Sequence, residues 1–207
     1  MPDQNIDYYF SMTSPWAYLG HQKFVDMARR HGLRIIYHPV NLGMVFPETG
    51  GLPLAKRHPA RQAYRLVELQ RWREKRGVEL QLKPKYFPMN PTLADCCVAA
   101  LGAAGGDVPG FMARLFAATF AHERDGADAA TLTGLLNETG ADGPALVAVA
   151  GSAPALAAYE AASRAAVALG IFGSPTYVRD GELFWGQDRL ELLEDAITSG
   201  RAGFRVP

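Results

Sequence analysis

The sequence is poor in cysteine: of 207 residues only Cys96 and Cys97 are cysteine, and they are adjacent. Neighbouring cysteines rarely close a structural disulfide, and no other cysteine completes a metal-type spacing. They read as two thiols of one helix, at least one of them buried, with a redox pair as the alternative. An excess of charge is also missing, because 21 Lys+Arg balance 21 Asp+Glu. A non-specific nucleic-acid binder carries a basic excess, so that class is excluded except through a local patch. No run of about 20 strongly apolar residues is present, as a spanning helix requires. The most apolar stretch, 141–158, is Ala-rich and broken by Gly and Pro. The opening, MPDQNIDYYFSMTSPW, has early acidic residues, no basic leader and no apolar core, unlike a secretory signal. A cytoplasmic protein with no membrane partner is the expectation. His21, His31, His38, His58 and His122 show no paired ligand spacing, so no metal is expected.

What is there suffices for a sizeable core. The chain is 48% hydrophobic and holds 3 Trp, 8 Tyr and 10 Phe, which argues against disorder. The length fits one domain, or one domain carrying a large insertion.

Residues 6–11 (IDYYFS) predict a strand, being β-branched and aromatic and too short for a helix. MTSP, 12–15, is turn chemistry, and Pro15 suits a first helical turn, with Ser14 as N-cap. Trp16, Leu19, Phe24 and Met27 form a helical stripe ending near Gly32, and 33–39 (LRIIYHP) predict a second strand. This is a βαβ unit. Residues 41–59 read as a loop with short pieces. Residues 61–76 predict a charged amphipathic helix with Tyr64, Val67 or Leu66, and Leu69 on its apolar face, stopped by Gly77. Residues 80–91 are extended and proline-rich. Helices follow at 93–104, 109–122, 130–139, 144–149 and 154–170. The end is a loop into Pro175, a strand at 176–178, a turn at 179–182, a strand at 183–185 and a helix at 188–199. Asp188 is the candidate N-cap of that helix, and Leu190, Leu193 and Ile197 its apolar face.

A βαβ unit followed at a distance by ββα, with a proline opening the third strand, is the outline of a thioredoxin fold. The helical block between them resembles the DsbA-type branch. The expected fold is therefore α/β, a thioredoxin-like domain with a large all-helical insertion. The expected boundaries are 1–42 plus 171–207 for the discontinuous thioredoxin-like domain and 43–170 for the insertion. Where that branch carries Cys-x-x-Cys, this chain has Ser14-Pro15-Trp16-Ala17. Without a thiol pair there is no dithiol–disulfide exchange at this position.

Four motifs occur in order: SPWAYLG (14–20), YFPMN (86–90), GSPT (173–176) and FWGQDRLELL (184–193). Together they resemble the 2-hydroxychromene-2-carboxylate isomerases, relatives of kappa-class glutathione transferases, over nearly the whole chain. The resemblance implies glutathione as cofactor, with Ser14 stabilising its thiolate. The physics agrees: a hydroxyl at a helix N-terminus, beside free N–H groups and the positive macrodipole end, favours an anion. A plain N-cap is the alternative reading of Ser14.

By the same resemblance Pro175 is a cis-proline that leaves the N–H and C=O of Ser174 free for the cysteinyl backbone of glutathione. An ordinary trans loop proline is the alternative. Gln187 and Asp188 are implied to hold the γ-glutamyl end, unless Asp188 only caps its helix; both roles are compatible. Arg61 matches a basic, carboxylate-holding position, or is simply a solvated residue. Relatives carry Asn shortly before this helix, where this chain has Gly50-Gly51, so one side-chain amide contact is missing. Trp16, Tyr86, Phe87 and Asn90 are candidates to line the second substrate's pocket, with core packing as the other reading of Phe87.

The implied activity is isomerisation of 2-hydroxychromene-2-carboxylate, or a related aromatic acid, to trans-o-hydroxybenzylidenepyruvate with glutathione regenerated. A kappa-like glutathione transferase and a non-catalytic thiol-binding protein are the rivals, since fold alone does not separate them. Relatives are commonly dimers, so a homodimer is expected.

Overall fold

The computed structural model describes residues 4–205. The expectation of no secretory leader rests partly on residues 1–3, which lie outside the described residues. Strand β1 (Asn5–Phe10) is followed by helix α1 (Pro15–Arg30) and strand β2 (Arg34–Pro39). Seven helices follow: α2 (Leu42–Thr49), α3 (Pro59–Arg76), α4 (Thr92–Ala103), α5 (Val108–Phe120), α6 (Ala129–Asn137), α7 (Gly143–Ala150) and α8 (Ala153–Ala168). Strands β3 (Thr176–Arg179) and β4 (Glu182–Trp185) and helix α9 (Leu190–Ser199) complete the chain. The sheet order is β2-β1-β3-β4. Strands β1 and β2 are parallel, as a helical crossover requires, whereas β3 is antiparallel to both β1 and β4.

The sheet is built on aromatic residues of high strand propensity. Tyr8 pairs in register with Tyr37 on one side and Tyr177 on the other. The rings of Tyr8 and Tyr177 stack at 5.2 Å, and Phe24 of α1 lies 4.9 Å and 4.5 Å from them. Helix α1 thus buries Phe24 and Met27 on the sheet while Gln22, Arg29 and Arg30 face water. One continuous core joins these residues to Phe111, Phe116 and Leu135 of the helical block. The division between sheet and insertion is one of chain order; the packing runs across it.

Three expectations are corrected. Residues 42–49 are helical instead of loop: Asn41 Oδ1 caps the turn from Gly43 N–H at 2.9 Å, and Val45 is buried. Pro47 lies inside this short helix and hid it in the sequence. In α3 the apolar face is misassigned, because Tyr64 and Val67 are 58% and 40% exposed. The face that packs is Leu66, Leu69 and Trp72, against Leu19 of α1 and Leu80. The last helix begins at Leu190, after a 3₁₀ turn over Gln187–Arg189, and no side chain caps it. Asp188 is therefore not its N-cap; it is exposed, and its Oδ2 accepts Arg189 Nη1 at 2.7 Å.

No single helix among the described residues is long and apolar enough to cross a membrane, and the apolar α7–α8 pair is bent by 63°. Cys96 and Cys97 are free and both buried in α4.

Candidate functional site

The β1–α1 loop delivers Ser14 to the start of α1. Ser14 is buried, has extended backbone, and its Oγ accepts the N–H of Ala17 at 3.2 Å. The same oxygen donates to the carbonyl of Ser174 at 3.1 Å. Ser14 is thus an N-cap, and its hydrogen already has an acceptor. Pro15 has no N–H to offer, while the N–H of Trp16 has no partner among the described residues. That leaves one donor and one rotatable hydroxyl at the positive end of a 16-residue helix.

The Ser174–Pro175 peptide is cis, as the family resemblance implies. The expectation that both polar groups of Ser174 are free is half right. Its carbonyl accepts Ser14 Oγ–H, and its own Oγ accepts Ser11 N–H at 3.0 Å, so only its N–H is unpartnered among the described residues. A second cis-proline bond, Phe87–Pro88, lies in the YFPMN motif and was not anticipated.

Gln187 is buried, and Arg76 of α3 grips it. Arg76 Nε and Nη2 donate to its Oε1 at 3.0 and 2.8 Å, and Nη2 also to its carbonyl at 2.9 Å. Arginine is only a donor, so this fork fixes the amide orientation and turns Nε2 away from it. Nε2 has no partner among the described residues. Arg76 also covers the Trp72 ring at 4.9 Å. The sequence reading missed Arg76, since a charge on a charged helix carries no sign of a partner 111 positions away.

Asp95 was missed too, although a lone carboxylate inside the apolar helix TLADCCVAALGA was a signal. It is fully buried. Its Oδ1 accepts Met12 N–H at 2.7 Å, and its Oδ2 accepts Ser11 Oγ–H at 2.9 Å and Tyr159 O–H at 2.7 Å. Burial outweighs these donors and pushes its carboxyl up to about 7. The insertion therefore pins the loop that carries Ser14. Burial likewise pushes the Cys96 thiol up to about 11 and the Cys97 thiol up to about 12, so neither offers a thiolate at neutral pH.

The proposed second-substrate residues are only partly gathered. Trp16 is partly buried against Leu66, Leu69 and Leu80, while Phe87 packs 6.0 Å from Phe120 and beneath Arg65. Thr13 Oγ1 donates to Met89 O at 3.4 Å and so ties the YFPMN segment to the Ser14 loop. Tyr86 carries the Lys85 ammonium over its ring. Asn90 is exposed; its Oδ1 accepts Thr92 N–H at 3.0 Å. Asn90 also borders a cavity of about 240 Å³ whose other walls are Thr92, Leu93, Ala127, Ala150, Gly151 and Leu156. Neither Ser14 nor Phe87 lines that cavity. Arg61 is exposed on the first turn of α3. Among the described residues no cluster of His, Cys, Asp and Glu is placed to hold a metal ion.

A sheet of this topology, with a hydroxyl at the N-terminus of α1 facing the residue before a cis-proline, defines a thioredoxin-fold protein of the DsbA type in which serine stands for the thiol. Residues 5–198 match the DSBA-like thioredoxin domain model. The 2-hydroxychromene-2-carboxylate isomerase of Sphingobium xenophagum is 31% identical over 196 residues, covering 94% of this chain and 98% of that protein. The enzyme of the same name from Pseudomonas putida is 29% identical, covering 93% of each chain. A solved structure of 2-hydroxychromene-2-carboxylate isomerase superposes with a TM-score of 0.81 at 27% identity, covering 94% of this chain and 95% of that one. The chain belongs to the DSBA-like thioredoxin family, in the branch that contains the 2-hydroxychromene-2-carboxylate isomerases.

Proposed function

We propose that this chain is a glutathione-dependent isomerase acting on 2-hydroxychromene-2-carboxylate or a closely related aromatic acid. The observation that carries the reading is Ser14: a hydroxyl, 3.1 Å from the Ser174 carbonyl, where DsbA-type proteins hold a thiol. The residues fit a thiol-bearing tripeptide. The unpartnered N–H of Ser174 suits its cysteinyl carbonyl. The free Nε2 of Gln187 and the carboxylate of Asp188 suit the α-carboxylate and ammonium of its γ-glutamyl end. Arg61 suits a further carboxylate.

When bound, glutathione supplies a thiolate that adds to an electrophilic carbon and leaves again. Ser14 turns its Oγ–H from the Ser174 carbonyl toward the sulfur. A hydroxyl has two lone pairs, so this rotation keeps the Ala17 N–H bond and the helix cap. The Trp16 N–H and the helix dipole favour the same anion. Trp16, Tyr86, Phe87 and Asn90 are the residues proposed to line the aromatic acid's pocket.

The domain assignment goes with this reading: 1–42 and 171–207 form the thioredoxin-like unit and 43–170 the insertion. A homodimer in the cytoplasm completes it, and the two free, buried cysteines suit a reducing compartment. Product analysis is the test. Isomerisation leaves the glutathione concentration unchanged over many turnovers, whereas consumption of glutathione in proportion to product makes the chain a transferase. Failure to bind any thiol makes it a non-catalytic relative.

A further inference from the structure

The arginines of α3 divide into two groups. Toward its C-terminus they have acceptors: Arg71 pairs with Glu68, Arg73 donates to Leu80 O at 3.1 Å, and Arg76 grips Gln187. Toward its N-terminus, and at Arg57 just before it, they have no carboxylate partner: among the described residues no carboxylate lies within ion-pair distance of Arg57, Arg61 or Arg65. Arg57 is held by its Nε on Leu52 O at 2.8 Å, and Gln62 Nε2 donates to its carbonyl at 2.7 Å.

Arg65 is the unusual member. It is partly buried, and its guanidinium covers the Phe87 ring at 5.2 Å. Burial first, and the Arg57 charge second, push its pKa down to about 10, so it stays protonated at neutral pH. A desolvated cation beside a like charge is costly without an anion. The Phe87 ring offsets part of that cost through its π face. A cation–π contact occupies no hydrogen-bond acceptor, so the guanidinium keeps N–H donors that a carboxylate can take in bidentate fashion. Through Phe87, Arg65 touches one of the residues proposed to line the substrate pocket. Its neighbour Leu66 packs with Trp16, and the segment bearing Phe87 is tied to Thr13, next to Ser14.

We propose that Arg65, backed by Arg57, binds the carboxylate of the aromatic 2-oxo acid and sets the preference for acids over neutral analogues. This rests on the isomerase reading for the identity of the ligand. Arg65 holds the carboxylate at one end while the aromatic body lies on the Trp16 and Phe87 side. Arg61, further out on the helix, is left for glutathione.

The test uses the full chain with Arg65→Gln and Arg65→Lys. The probes are trans-o-hydroxybenzylidenepyruvate, its primary amide, and glutathione. Binding is read by quenching of tryptophan fluorescence without turnover, and melting curves check the fold. Wild type prefers the acid to the amide. Arg65→Gln weakens the acid about 10- to 100-fold, as loss of one charge-assisted contact does, and leaves the amide and glutathione unchanged. Arg65→Lys, which keeps the charge and loses the fork, recovers part of the affinity. Equal binding of the acid by wild type and both variants overturns the assignment. Loss of acid binding in Arg65→Gln, with a wild type that binds the acid without isomerising it, upholds Arg65 and overturns the isomerase reading. A wild type that does not bind the acid overturns both.

Discussion

Asp95 of α4 accepts the backbone N–H of Met12 at 2.7 Å, with the carboxylate fully buried between the insertion and the end of β1. Its other oxygen takes the hydroxyls of Ser11 and of Tyr159 on α8. One side chain thus fixes the loop two residues before Ser14 to two helices of the insertion. Removing the acceptor and leaving its donors buried costs about 1–3 kcal/mol per donor. Asp95→Leu is expected to destabilise the fold by about 3 kcal/mol or more on that basis. Asp95→Asn, close in shape to the protonated acid, is expected to cost far less. Urea denaturation of the two variants checks this, and equal losses contradict it.

The same carboxyl predicts a pH dependence. Its folded pKa of about 7 lies above the ordinary carboxylate value of 3.8. The native state therefore holds this proton more tightly than the unfolded chain. The contribution is full below the unfolded pKa and is lost as pH rises toward about 7, at up to about 1.4 kcal/mol per pH unit. Glu182 and Glu194, held down by hydrogen bonds from Arg201 and from Arg30 and His31, act in the opposite sense. They are common to wild type and Asp95→Asn, so the difference between the two isolates Asp95. That difference is expected to shift against wild type between about pH 4 and pH 7. Parallel stability curves contradict the assignment.

Gly20 is required by close approach. A Cβ there meets the Gln187 Cβ at 2.6 Å and the Tyr177 hydroxyl at 3.1 Å. Alanine improves helix propensity by up to about 1 kcal/mol. Overpacking at a tight contact costs about 1–3 kcal/mol and outweighs it. Gly20→Ala is expected to lower the melting temperature and, by displacing Gln187, to weaken glutathione binding. A variant as stable as wild type with unchanged affinity refutes this.

Asp188 separates binding from structure. It caps nothing, and its ion pair with Arg189 is an exposed one between neighbours, worth about 0–1 kcal/mol. Asp188→Ala and Asp188→Asn are both expected to melt near wild type. Both are expected to lose glutathione affinity by about 1.5–3 kcal/mol, the range for a hydrogen bond to a charged group. Calorimetry decides: an unchanged affinity moves the γ-glutamyl site elsewhere.

Much of this was legible in the residues. IDYYFS, LRIIYHP and the turn at Arg179–Glu182 carry strand and hairpin chemistry that the packing did not override. Ser14-Pro15 announced a helix start, and the cap bond to Ala17 N–H is there. Local signals failed where a partner distant in sequence decides. Asp188 looked like a cap, but the chain enters α9 through a 3₁₀ turn seated under Gly20 and held by Arg76. Pro47 argued against a helix that the Asn41 cap and Val45 burial nevertheless form. Arg76, Asp95 and Gly20 act across 111, 83 and 167 positions or so, and pattern alone does not pair such residues.

The central claim is that Ser14 stabilises a bound thiolate. The direct measurement is thiolate absorbance of glutathione on wild type and Ser14→Ala as a function of pH. Wild type is expected to ionise the bound thiol well below the pKa of free glutathione. Ser14→Ala is expected to raise that pKa by about one unit, since one unit is about 1.4 kcal/mol and a single hydrogen bond to a charged group is worth as much. Superimposable titrations of the two proteins contradict the account.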